Sequence, residues 1–216
     1  RESDSPTVHQ KEINRTNMSY ESYKTYESNI FLMKSGGYES LLVYRFAVVI
    51  YDLTEIFCQE YLSHLQYKRD VEQMRHAARS GKQNIAEGSL ENSVEGNLKL
   101  TSVARASFGE LLEDYKDFIR RNNLSLWKKN DPRVLEIRKI RDNSNKTNKS
   151  YESYMSYLDS PERFTNLMVT LCFTEGYLMD QLLRAIEYKF VKEGGFRENL
   201  FRKRREYQNK GPVVHR

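Results

Sequence analysis

Four stretches of this chain, each of twenty residues or more, return an apolar side chain every third or fourth position, and none alternates as a strand does. Over residues 38–65 the stripe is Leu42, Phe46, Val49, Leu53, Ile56 and Phe57, with Glu60 at its end. Over 68–87 it is Val71, Met74, Ala78, Gly81 and Ile85, rich in small residues. Over 93–121 it widens to Leu98, Thr101, Ala104, Phe108, Leu111, Leu112, Tyr115, Phe118 and Ile119, enough to meet two partner helices. After Ser160-Pro161-Glu162, a helix start signal, Phe164, Leu167, Met168, Leu171, Leu178, Leu182 and Ile186 line a fourth helix that runs to Gly194-Gly195.

This pattern predicts an all-α fold, an antiparallel up-down four-helix bundle. A helical and extended insertion, residues 122–160, separates the third and fourth long helices, with a short helix starting at Pro132 after Asp131 as N-cap. Residues 1–37 lack periodicity and read as a flexible arm, 38–195 as the bundle, and 196–216 as a basic tail with a last helical turn or two. Residues 14–26 recur at 145–157 with nine of thirteen positions identical, an echo too brief for a repeat architecture.

Three residues sit awkwardly in these helices. A mid-helix glycine costs about 1 kcal/mol relative to alanine, so Gly81 predicts a close neighbouring helix. Gly88 is expected to end its helix with positive φ. Glu175 falls inside the fourth stripe, where a carboxylate needs a partner; Arg105 is the expected one.

The net charge of +5 conceals a segregation. Residues 120–149 carry ten bases against three acids, and 196–216 seven against two, which leaves the remainder at −7. Such segments are what a polyanion meets first, although a solvated connector and tail have the same composition. Within them Lys128, Lys129, Arg138, Lys139 and Arg141, and the tail run Arg202, Lys203, Arg204 and Arg205, are the candidate nucleic-acid contacts. Tyr151, Tyr154 and Tyr157, interleaved with Lys146 and Lys149, either stack on bases or pack the insertion on the bundle, the packing role being favoured.

A second basic stripe, Arg69, Arg75, Arg79 and Lys82, lies along one flank of the second helix. Its two readings are phosphate tracking and pairing across a subunit boundary with Glu110, Glu113, Asp114 and Asp117, the interface being favoured. Catalytic chemistry has little to stand on. Glu87 has no second carboxylate or nucleophile nearby, so Asn84 and Glu87 are expected to hydrogen-bond the connection to the third helix, with Ser89 and Asn92 capping it. His9, His64, His76 and His215 have no ligand partners at helical spacing, so neither metal nor cofactor is expected. Cys58 and Cys172 within apolar stripes fit a reducing cytoplasm, and neither a membrane span nor a secretory leader is expected.

The segment from Gln73 through Asn84-Ile85-Ala86-Glu87-Gly88 and Ser89, followed by Ser102 to Leu111, resembles the bacterial four-helix bundle family, also called the 23S rRNA intervening-sequence protein family. Ser150-Tyr151-Glu152-Ser153-Tyr154, Glu193-Gly194-Gly195-Phe196 and the basic end resemble its subgroup with a C-terminal suffix domain. The resemblance implies Asn84, Glu87 and Gly88 as family motif, a homo-oligomer in a fivefold ring, and no enzymatic activity. A relative accessory to diversity-generating retroelements implies RNA or a reverse transcriptase as partner. The expected function is thus a non-catalytic accessory assembly for structured RNA. The alternative is a scaffold that binds a protein partner and never touches nucleic acid.

Overall fold

The computed structural model describes residues 37–143 and 151–210. The arm before residue 37, most of the sequence echo with Lys146 and Lys149, and the last six residues lie outside the described residues. Among those described, the protein is all-helical: α1 (Leu42–Tyr61), α2 (Lys68–Leu90), α3 (Val94–Arg121), α4 (Pro132–Asn143), α5 (Pro161–Glu193) and α6 (Phe196–Lys210), with short 3-10 turns at Tyr38–Ser40, Leu65–Tyr67 and Glu152–Tyr157.

Four of the helices close a cycle, α1 on α2, α2 on α3, α3 on α5 and α5 back on α1. Side-chain pairs fix their directions. Arg121 bonds Asp70 at one end of α2–α3, the Ser80 and Ser107 hydroxyls meet at 3.0 Å in the middle, and Gly88 faces Asn97 and Leu100 at the other end, so the two run antiparallel. The same holds for α3 and α5, where Arg105 meets Asp180 and Lys116 meets Phe173.

Phe57 is the hub of the core. Its ring centroid lies 4.9–5.3 Å from those of Phe118, Tyr115, Tyr61 and Phe164, mostly edge to face, each such pair worth about 0.5–1.5 kcal/mol beyond its burial. The buried Tyr115 hydroxyl is satisfied by Thr54 Oγ1 at 2.9 Å. Gly81 does mark a close approach: a Cβ there would sit 2.6 Å from Phe108 Cζ.

Helix ends obey local chemistry with some surprises. Ser93 Oγ accepts from Gly96 N at 2.9 Å and Ser160 Oγ from Arg163 N at 3.3 Å, both N-caps. Ser93, not Ser89 or Asn92, therefore caps α3; the Ser89 hydroxyl turns back to the Ile85 carbonyl. Gly88 is helical and buried, with no positive φ, because α2 continues to Leu90 while Gly88 lets Leu100 approach. Gly194 does take φ 77° after α5. The tail then forms fifteen residues of helix rather than a turn or two, since Glu198 accepts from Gly195 N and Asn199 donates to the Gly194 carbonyl.

Candidate functional site

The sharpest site grows from the end of α3. Asn122 donates to the Phe118 carbonyl, and Asn123 turns the chain with φ 52°, a left-handed conformation asparagine tolerates. The chain then runs to Trp127, held by two side chains of α5. Asn166 of α5, 1% exposed, accepts from Trp127 N at 2.8 Å and donates to the Ser125 carbonyl at 2.9 Å. Glu162 adds bonds to Trp127 Nε1 and Ser125 N. Asp131 next caps α4, accepting from Arg133 N and chelating its guanidinium at 2.8–3.0 Å, which keeps the Asp131 carboxyl below the usual carboxylate range. That guanidinium lies 3.8 Å above the Trp127 ring.

These contacts hold open a groove of about 1030 Å³ between the linker, α4, α3 and α5. Its cations are Lys116, Lys128, Lys129, Arg138 and Lys139, and among the described residues no carboxylate lines it. Its apolar floor includes Phe173 and Tyr177, one helical turn apart on α5 and 51% and 60% exposed. Lys116 pairs with Glu113 at 2.7 Å and sits 5.1 Å from the Phe173 centroid. Among the described residues, no carboxylate lies within ion-pair distance of Lys128, Lys129, Arg138 or Lys139. Arg141 lies on α4, its side chain outside the described part.

The other expected residues do not converge on this groove. Arg202, Lys203, Arg204 and Arg205 are exposed on α6, with Arg202 bonded to Asn199. Arg75 turns to Glu55 of α1 at 2.9 Å, and Lys82 lies 3.8 Å over the Tyr51 ring. Arg69 and Arg79 are exposed. Of the acids, Glu113 and Asp117 pair along α3 with Lys116 and Arg120. Glu110 is exposed, and Asp114 accepts from Gln73 at 3.0 Å. Burial, then crowding by Asp70, Asp117 and Glu110, pushes the Asp114 carboxyl up to about 6. Asn84 bonds the Ser80 carbonyl and hydroxyl within α2, not the connection to α3, and Glu87 is exposed beside His76 and Arg79. Tyr154 and Tyr157 are buried, so these two rings pack rather than offer themselves to a base.

Glu175 is fully buried and neither oxygen has a hydrogen-bond partner, while Arg105, its expected partner, binds Asp180 at 2.9 Å. Burial alone raises the Glu175 carboxyl well above its ordinary value. Among the described residues no cluster of three or more metal-ligating side chains occurs, and no helix is long and apolar enough to cross a membrane.

Sequence reasoning missed Lys116, Trp127, Phe173 and Tyr177. The signal was present for the last two, aromatic residues four apart on α5 and off its inward stripe, on a face where a buried bundle helix usually carries polar side chains. No protein-family model, no curated protein and no solved structure matches this chain.

Proposed function

We propose that this protein is a non-catalytic, nucleic-acid-binding four-helix bundle of the bacterial intervening-sequence type, assembled as a homo-oligomer, a pentamer by that resemblance, and working on structured RNA in the cytoplasm. The closed cycle of α1, α2, α3 and α5 supports the bundle. The observation that carries the function is the groove: five cations, no carboxylate among the described residues that line it, and an apolar aromatic floor. A surface of fixed positive charge binds phosphates by releasing counterions. The free Cys58 and Cys172, both buried, accord with a reducing compartment.

The test is RNA retention against salt. The four groove cations with no ion pair to a described residue, at about 0.7 per phosphate, give a log–log slope near −2.8, roughly a fiftyfold loss between about 50 and 200 mM salt. Lys128→Glu with Lys139→Glu should flatten that slope by about 1.4. A slope near zero in the unaltered protein would overturn the reading. One observation favours the second reading, a scaffold for a protein such as a reverse transcriptase: α6 exposes Phe196, Leu200 and Tyr207 along one face. A flat salt response with a stable protein complex would select it.

A further inference from the structure

We infer that the groove takes unpaired nucleotides, with successive bases laid on Phe173 and Tyr177 and their phosphates along Lys128, Lys129, Arg138 and Lys139. The inference rests on the nucleic-acid reading and narrows it to the looped or single-stranded part of the RNA.

The division of chemistry within the groove is the first ground. A duplex presents phosphates outward and hides its base faces, so it would satisfy the cationic rim and leave the floor wet. An unpaired strand offers both surfaces at once, and every base has a face that stacks on an aromatic ring. Spacing is the second. Residues four apart on a helix have Cβ atoms about 5–6 Å apart, more than the 3.4 Å rise per nucleotide of a stacked strand. Bases on the two rings are therefore splayed from one another, each on its own platform. Size is the third. A groove of about 1030 Å³ lies at the upper end of what a drug-sized ligand fills, room for a couple of nucleotides and far too little for a helix of paired strands.

The site is also built before its ligand arrives. Trp127 is fixed by Asn166 and Glu162, and Arg133 is held above it by Asp131, so the wall loses little freedom on binding. The four rim cations break no ion pair with a described residue to reach a phosphate. An acidic, aromatic-poor protein segment would meet the same charge but would not need the rings.

Trp127 is the only tryptophan and lies in the groove wall, so its emission reports occupancy without a label. The full chain would be titrated with a twelve-nucleotide oligouridylate and, separately, with a twelve-base-pair RNA duplex, followed by Trp127 emission and by anisotropy of end-labelled RNA. The single strand should bind at least tenfold more tightly. Phe173→Ala and Tyr177→Ala should each weaken it by about 5- to 150-fold while leaving the salt slope unchanged, because neither ring neutralises a phosphate. Both rings are half exposed or more, and far-ultraviolet circular dichroism would check that the variants fold. Equal affinity for strand and duplex, or an unchanged affinity in both alanine variants, overturns the inference. If in that case Lys128→Glu with Lys139→Glu still abolishes binding, the broader reading survives. Binding of neither RNA overturns both.

Discussion

Replacing Glu175 by methionine is expected to stabilise the fold, and to do so more strongly at pH 8 than at pH 5. The carboxyl is 0% exposed, and neither oxygen has a hydrogen-bond partner. Even as the neutral acid it leaves polar atoms unsatisfied, a cost of about 1–3 kcal/mol. Deprotonation adds to that. In the unfolded chain the group titrates near 4.5, and burial raises it well above that value in the fold. Between those two values the folded protein holds one proton more than the unfolded chain. Stability is therefore full below the unfolded value and falls by about 1.4 kcal/mol per pH unit as pH rises, levelling off only above the folded value.

Methionine, unbranched and close in volume, removes both costs without a large cavity. Glutamine keeps a polar group but cannot ionise, so it should remove only the slope. Urea unfolding at pH 5, 6, 7 and 8, read by circular dichroism at fixed protein concentration, measures both. The stability gap between Glu175→Met and the unaltered chain should widen with pH by up to about 1.4 kcal/mol per unit. Asp114, raised to about 6, adds its own pH dependence to both proteins and cancels in the difference. A gap constant from pH 5 to 8, or a destabilised methionine variant, would refute the reasoning.

Gly81→Ala should destabilise by about 1–3 kcal/mol, because its Cβ would lie 2.6 Å from Phe108; Phe108→Leu in the same chain should restore most of the loss in thermal unfolding. Asn166→Ala strands the buried Trp127 N–H and should cost about 1–3 kcal/mol, with a red shift in Trp127 emission as the linker loosens from α5.

The long helices were legible because burial on one side of a helix writes its period into the residues themselves. Gly81 belongs to the same class: a costly residue in a helix interior implies a close neighbour, and Phe108 is that neighbour. Gly88 was misread because a glycine near a helix end has two uses, positive φ and close approach, and only the position of Leu100 decides between them. Arg105 fails as the partner of Glu175 for an energetic reason. Its ion pair with Asp180 keeps both side chains partly in water, whereas reaching Glu175 would bury a guanidinium. The cations of the groove stood out as a run of charge, but its floor did not. Phe173 and Tyr177 lie more than thirty residues beyond Lys139 in sequence and join it only because Asn166 and Glu162 pull the linker onto α5.

That arrangement gives α3 a part beyond packing. Asp114 and Asp117 share a crowded acidic cluster with Asp70 and Glu110 that adds to burial in lifting the Asp114 carboxyl, and Gln73 of α2 bonds Asp114 there. Lys116, between them in sequence, projects to the other side and lines the groove over Phe173. Adjacent residues on a helix point about 100° apart, so within about one turn of α3 a negative face gives way to a positive one. A polyanion arriving at this end of the molecule would be repelled by the cluster of Asp70, Glu110, Asp114 and Asp117 and drawn toward the cations of the groove. Orientation would thus be set by long-range charge before any ring meets a base. On that account Asp114→Lys, remote from the groove, should raise the association rate for RNA at low salt while leaving the dissociation rate nearly unchanged; a change confined to dissociation would mean the acidic face takes no part in steering.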